Sequence, residues 1–383
     1  MAATLDSGRT DNERYFTASQ WQLVWARFKR NRLALIGGCG LALFIIVSAL
    51  AEFIAPYSGQ ADEKNTKYLA GPPQIPMFWD AAGFSPRPFV HETTSRYDVI
   101  AKQFVVKVRE RGGQPVRQYI QFFVEGSQYK LLGLFPTKIH LFGLDAPRQK
   151  VHIFGTDQSG LDLFSRLMFA TRTSLSIGVL GVLVAFVLAL VIGGVAGYYG
   201  GWIDMTIQGF TDVVRVIPVI PLYMALASTF PKEWTNVQIY FAMTLVLGLF
   251  GWPTLARRIR THLLSAREED YILAARISGA KPARIIGRHL LPSFTGYIIV
   301  DLIISFPYII LAETALSIVG LGLRRPSMSW GVLLQEMKTV QAIQLTPWYF
   351  IPLGFFIVAV LCFVLLGDGL RDAADPYSER RDK

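Results

Sequence analysis

Apolar and polar stretches alternate along the chain so as to leave six long apolar runs. They lie at about Leu33 to Ala55, Ser174 to Gly197, Asp212 to Phe230, Val237 to Leu255, Phe294 to Leu321 and Tyr349 to Gly367. A helix needs roughly 20 apolar residues to cross about 30 Å of hydrocarbon, so each run is a candidate span. The third carries Pro218 and Pro221 and is expected to start late or to kink. Between the first two runs, from Pro56 to about Arg148, the pattern changes. Pro and Gly punctuate it at Gly71, Ser85 and Gly112, and β-type runs start at Phe104 and Tyr119, with ERGGQP between them as a hairpin-turn signal. The expected fold is an all-α polytopic membrane protein with six transmembrane helices and a small, mainly β insertion. The expected division is a segment 1–32, a first span 33–55, the insertion 56–150, a five-helix core 151–370 and a tail 371–383. The core contains a loop at 257–293.

That loop holds an unusual passage, Glu269 to Pro292. Tyr271 to Ser278 reads as one helical piece, broken at Gly279. Pro282 stands where the first turn of a second piece would begin, since no backbone donor is needed there. In the second piece Ile285, Ile286 and Leu290 fall on one side, with Arg284, Arg288 and His289 largely on another. Ala274, Ala275 and Ala280 keep the break accessible to a close-packed surface. Two interpretations stand side by side: an elbow held by a partner protein, or a solvated loop whose arginines fix orientation.

Composition agrees with a membrane protein. Of 383 residues, 52% are hydrophobic and 17% charged, with a mean hydropathy of +0.36. A soluble chain of this length carries more charge to cover its surface. The net charge of +10 does not indicate nucleic acid, because the cations gather beside apolar runs and are not interleaved with aromatics. Arg27, Lys29, Arg30 and Arg32 precede the first run, and Arg257, Arg258, Arg260 and Arg267 follow the fourth. The positive-inside rule then puts both termini and the 257–293 loop in the cytoplasm, and the insertion outside. Ala49 and Ala51 imitate a peptidase site, but the long polar lead and the length of the run favour a retained helix.

Candidate chemistry is sparse. No phosphate-binding G-x-x-x-x-G-K-[ST], no H-E-x-x-H and no nucleophile elbow is present, and the five histidines lack metal-ligand spacing. Cys39 and Cys362 lie inside apolar runs and are expected as small buried residues. Asp157, Asp162, Arg166 and Arg172 suit either a catalytic cluster or a capped, charged interfacial helix. Asp301 and Glu313 sit in the fifth run, where an ionisable group is a functional candidate by default. They would serve an ion-coupled secondary transporter as ion sites; otherwise Asp301 caps or pairs with an arginine and Glu313 is structural. Phe78, Trp79, Phe122, Phe123 and Tyr129 would line a substrate entrance or, preferably, form the core of the insertion. The stretch from Arg324 to Trp348 is expected as an outer loop with an interfacial helix.

Several of these residues also resemble a known family. Tyr271, Ala274, Ala275, Arg276, Gly279, Ala280, Arg288, Leu291 and Pro292 stand as in the signature loop of permease subunits of bacterial ABC importers. Leu273 replaces the glutamate of the general signature, at a position that varies in the peptide-importer branch. Gly155, Thr156, Asp157, Gly160, Asp162, Ser165, Arg166, Arg172, Ser174 and Leu175 resemble a second signature of dipeptide and oligopeptide importer permeases, with Leu161 and Ala170 as departures. Gly197, Tyr198, Gly200, Gly201, Asp204, Asp212 and Pro218 resemble the same family, although Gln208 and Gly209 replace a usual Met-Arg. Trp25 to Gly37, Glu313 to Gly322, Pro326 to Gly331 and Gly367 to Pro376 contain further matches, so the resemblance runs from about Trp25 to Pro376 except for about Gln60 to His152.

The resemblance implies a type I importer permease fold. It also implies a second permease subunit, two ABC ATPase subunits and an extracytoplasmic solute-binding protein. ATP and Mg would be held by the ATPases, leaving this chain without cofactor, metal or catalytic residue. Its coupling residues would be those of the signature loop, with Arg284 beside them. Gly155, Asp157, Asp162, Arg166, Arg172, Gly200, Gly201, Asp204, Asp212 and Glu313 would be structural. The cargo would be a dipeptide or oligopeptide, an oligosaccharide or a nickel complex.

Overall fold

Two long helices packed through glycines form the spine of the protein. The computed structural model describes residues 20–60, 63–100, 103–144, 149–231, 233–338 and 344–374. The expectations for residues 1–19, for Asp375 and Pro376 and for the rest of the tail lie outside these residues. Helices α1 (Gln20–Phe28) and α2 (Arg32–Ala49) lead into a one-turn extension, Ala51–Ile54. The spine is α3 (Leu163–Tyr199) and α6 (Asn236–Ala266). Between them lie α4 (Gly201–Val216) and α5 (Val219–Ser228). After α6 come α7 (Asp270–Ile277), α8 (Thr295–Val319), α9 (Trp330–Gln335) and α10 (Ile351–Ala374). Among the described residues five helices are long and apolar enough to span a membrane. The α4–α5 pair makes a sixth only if its 76° bend is counted as one broken span.

Each departure from the apolar runs has a local cause. Helix α3 begins at Leu163 rather than Ser174 because Asp162 caps it, accepting from the Ser165 amide at 2.7 Å. The expected interfacial helix and the second span are therefore one rod of about 55 Å. Helix α6 starts with a Thr235–Gln238 capping box and runs to Ala266, well past Leu255. The third run breaks at Ile217 and Pro218, where the backbone is extended.

Small residues set the spacing of the spine. A methyl group on Gly197 would lie 2.7 Å from the Leu263 Cβ and 2.9 Å from the Arg260 carbonyl oxygen, and one on Gly193 would overlap the Ala256 carbonyl. Gly248 of α6 approaches the Gly181 carbonyl in the same way. Gly194 only reaches ordinary contact with Ile286. Without a hydrophobic force between helices in lipid, such close backbone approach is how they gain attraction. Helices α2 and α10 repeat the device, with Gly37 against the Cys362 carbonyl and Gly369 against Ala34. Cys362 is buried there, whereas Cys39 is exposed, contrary to the expectation from its apolar surroundings.

Helix α9, in the stretch expected to hold an interfacial helix, packs into the protein core: Trp330 is fully buried, its indole donating to Thr171 Oγ1 at 3.2 Å and its amide to Ser174 Oγ at 3.0 Å. A buried indole N–H needs such an acceptor.

The residues between α2 and α3 carry strands β1 (Met77–Asp80), β2 (Gly83–His91), β3 (Thr93–Asp98), β4 (Gln103–Val108), β5 (Glu110–Arg111), β6 (Gln114–Pro115), β7 (Arg117–Leu131) and β8 (Phe135–Leu144). One antiparallel sheet has the order β1-β2-β7-β8, and β3 pairs with β4. The ERGGQP turn is a minute β5–β6 hairpin around Gly112 and Gly113, both at positive φ. The two flanking runs do not continue that hairpin: β4 returns to β3 while β7 joins β2 and β8. The expected aromatic core is also absent. Phe78, Trp79, Phe122 and Phe123 are exposed, Trp79 to 69%, and Tyr129 is half-buried. The core consists of Val90, Ile120, Phe142, Leu144 and Val151.

This segment is sewn onto the helices. His140 Nδ1 donates to the Ala55 carbonyl oxygen at 2.7 Å, at the end of the first apolar run. The Gly71 amide donates to Thr156 Oγ1 at 2.8 Å, and His152 joins Asn65 at 3.0 Å to Asp162 at 2.9 Å.

Candidate coupling surface and its charged supports

The passage after α6 forms an elbow with one buried and one exposed side. Helix α7 stops at a Schellman motif: the Gly279 amide donates to the Arg276 carbonyl at 3.0 Å, and the Ala280 amide to that of Ala275 at 3.1 Å. Gly279 has φ +78°, a conformation that favours glycine, and a Cβ there would meet open space. Pro282 opens the second piece, which passes through a π-turn, Ile285–Leu290, into Leu291–Ser293. Single π-turns within helices are uncommon and concentrate at functional sites.

Ile272, Ile285 and Leu290 are fully buried in one apolar cluster with Ala185 and Ala189 of α3, Leu255, Ile259 and Leu263 of α6, and Phe294. Ile286 is half-buried beside them, so the apolar side expected for the second piece is the anchor. On the other side Tyr271, Leu273 and Ile277 are exposed, Ile277 to 87%. Ala274, Gly279, Arg284, Arg288 and Pro292 are exposed around them, and Ala275, Ala280 and Leu291 are half-buried. The Arg276 guanidinium lies over the Tyr198 ring at 5.5 Å, which ties α7 to the end of α3. Leu273 and Ile277 were not among the expected contact residues. Their signal is an apolar pair, four residues apart, on a helix whose third apolar residue, Ile272, already faces the core.

Ion pairs hold the helices beneath the elbow. Arg257, Arg258 and Arg260 of α6 pair with Asp212, Asp301 and Asp204 respectively, the Arg258–Asp301 distance being 2.5 Å. Asp204 and Asp212 belong to α4, which enters through the positive-φ glycines Gly200 and Gly201. Asp301 thus pairs with an arginine, one of the roles its sequence position leaves open, whereas the aspartate partners of Arg257 and Arg260 have no signal in the sequence.

A second charged group lies at the other end of α3. Arg166, fully buried, donates to Asp157 at 2.9 Å and to Glu336 at 2.6 Å, and Arg325 reaches the same two carboxylates at 3.2 and 2.5 Å. Burial pushes the Asp157 carboxyl up, while Arg166 opposes the shift. Gly155, at φ +77°, lets the chain pass 2.5 Å (to a notional Cβ) from the Gly71 carbonyl oxygen. Arg172 donates to the Ser48 carbonyl at 2.7 Å and pairs with Glu52. Glu313, on α8, accepts from Ser317 and Ser329, each at 2.8 Å. Each of these charged groups has an internal partner, as a structural role requires.

Comparison with known proteins agrees with this arrangement. Residues 189–378 match the family described as binding-protein-dependent transport system inner membrane component, and residues 19–72 match the N-terminal TM domain of oligopeptide transport permease C. The dipeptide transport system permease protein DppC of Alkalihalophilus pseudofirmus is 39% identical over 226 residues, covering 59% of this chain and 72% of that protein. The oligopeptide transport system permease protein OppC of Bacillus subtilis is 32% identical, covering 62% and 75%. A dipeptide permease DppC of Lactococcus lactis is 27% identical but covers 94% and 91%, including the strand-rich segment. Helices and matches together define a multi-pass permease of the bacterial inner membrane. The chain belongs to the binding-protein-dependent transport system inner membrane component family, in its DppC/OppC-type branch.

Proposed function

We propose that this chain is the membrane subunit through which an ATP-driven importer moves a peptide into the cell, and that its elbow receives the force from a separate ATPase. The observation that carries this reading is the two-sidedness of the elbow. One side is locked into α6 by Ile272, Ile285 and Leu290, while the other holds Tyr271, Leu273 and Ile277 out to solvent. An exposed apolar knob with arginines around it suits a groove on a partner. Force applied there passes into α6 through packed side chains and from α6 into α4 and α8 through the three ion pairs. The helices then move as bodies between inward- and outward-facing states.

The basic flanks of the spans put the elbow and both termini in the cytoplasm. The strand-rich segment then lies outside, where it meets the solute-binding protein or guards the entrance. A second permease subunit, two ATPase subunits carrying ATP and Mg, and that binding protein complete the complex, with membrane lipid around it. Peptide cargo is favoured by the names of the relatives; oligosaccharide and nickel complexes are the other cargoes the branch suggests. An ion-coupled transporter is disfavoured, because Asp301 is paired with Arg258 and Glu313 is held by two serine hydroxyls.

Substituting Ile277→Glu tests the reading, since so exposed a residue contributes little to folding. The assembled complex should lose binding-protein-stimulated ATP hydrolysis at least tenfold while its melting temperature stays within about a degree. Full stimulation in that variant, or in Ala275→Arg, would overturn the proposal.

A further inference from the structure

Where α4 meets α5, a cleft of about 590 Å³ opens between those two helices, α6 and α8. Its walls are apolar, with Phe250 and Leu311 prominent, and Tyr223, Thr254 and Tyr308 bring hydroxyl groups. Among the residues lining it, Arg215 is the one that carries a charge. It differs from the arginines around it. Arg257, Arg258 and Arg260 each hold an aspartate, but Arg215 has no ion pair or hydrogen bond among the described residues. The acid one helical turn before it, Asp212, is already engaged by Arg257. Arg215 is exposed on α4; where its helix meets hydrocarbon, a guanidinium beside an apolar cleft and without a counter-ion is costly unless something anionic comes to it.

We propose that this cleft is a subsite on the transport path and that Arg215 receives the free carboxylate at the end of a peptide, the apolar walls taking its side chains. The proposal rests on the permease reading above and adds the chemical group that is recognised. Planar guanidinium and carboxylate match in a bidentate pair, and a low-dielectric wall strengthens it. Tyr308 is exposed at the cleft and offers a hydroxyl donor to the same end of the ligand. Tyr223 is already spent on the Leu247 carbonyl, at 3.3 Å, and fixes the wall instead.

The test uses the whole complex in proteoliposomes, with its ATPases and binding protein, and two probes: trialanine and trialanine carrying a C-terminal amide. Each is supplied at a concentration that saturates the binding protein. Arg215→Gln should lower trialanine uptake at least tenfold and amide uptake less than twofold, with stimulated ATP hydrolysis within twofold of the wild type. Arg215→Lys, which keeps the charge but not the fork, should recover part of the trialanine uptake. Equal losses for both probes would mean a structural role, and unchanged trialanine uptake would mean none; either result overturns the proposal. A wild-type complex that imports no trialanine on adding ATP would instead overturn the peptide-permease reading on which it stands.

Discussion

Arg166 enters the first turn of α3 with almost no exposed surface and with two carboxylates, Asp157 and Glu336, closing on its guanidinium. Removing one member of a buried pair leaves an uncompensated charge, at a cost of about 3–5 kcal/mol. Arg166→Met should therefore lower the melting temperature of the detergent-solubilised protein sharply. The Arg166→Met and Asp157→Asn double variant should lose less than the sum of the single losses, as measured by a double-mutant cycle. In the β segment, Arg117 holds the Asp80 carboxyl well below the usual carboxylate range, with help from His91. A lowered native value contributes stability above the unfolded value near 4 and loses it as pH falls through the native one. Fluorine NMR of fluorotryptophan at Trp79 should thus report β1 intact down to strongly acid pH, and Arg117→Met should move its loosening up towards pH 4. The cap at Asp162 was legible because its grammar is local. Glu336, 170 residues from Arg166, was not, because nothing in either stretch announces the other.

Helix ends show where hydropathy misleads. It marks what lipid tolerates, whereas a helix stops where its backbone finds a cap or a break. Hence α3 starts at its aspartate, and α6 continues past the apolar run into arginines that have acids to meet. The glycines of the spine were legible as small residues in a span, but which of them face α6 depends on rotation about the α3 axis. Gly197→Leu should force α3 from α6, where overpacking costs typically about 1–3 kcal/mol, and should lower the melting temperature. Gly194→Ala, in open contact with Ile286, should be tolerated. Large apolar side chains are usually inside, which makes the aromatics of the β segment read as core. Phe78 with Trp79 and Phe122 with Phe123 are adjacent pairs of which alternation would bury one each; a register shift between Met77 and Trp79 and the positive φ of Phe123 interrupt it.

At the scale of the molecule, the strand-rich segment is fastened at its base and free at its far end. His140, His152 and Thr156 bind it to the helices, whereas the β7–β8 ribbon beyond Glu125 and Ile139 carries exposed Leu132, Leu134 and Phe135. Replacing residues 126–138 with Asn-Gly shortens the ribbon at a paired position and should leave assembly intact. If the segment meets the binding protein, uptake should fall severalfold while basal ATP hydrolysis is unchanged; unaltered uptake would make the ribbon dispensable.

The sharp corner between α4 and α5 has a consequence of its own. Pro218 offers no amide hydrogen, and the 76° turn parts the last carbonyls of α4 from the donors a continuous helix would give them. Hydrocarbon offers no donors either, so bare backbone of this kind persists at membrane depth only beside water or other protein. A solitary copy surrounded by acyl chains carries a solvation demand that lipid cannot meet, and hydration or a neighbour must satisfy it.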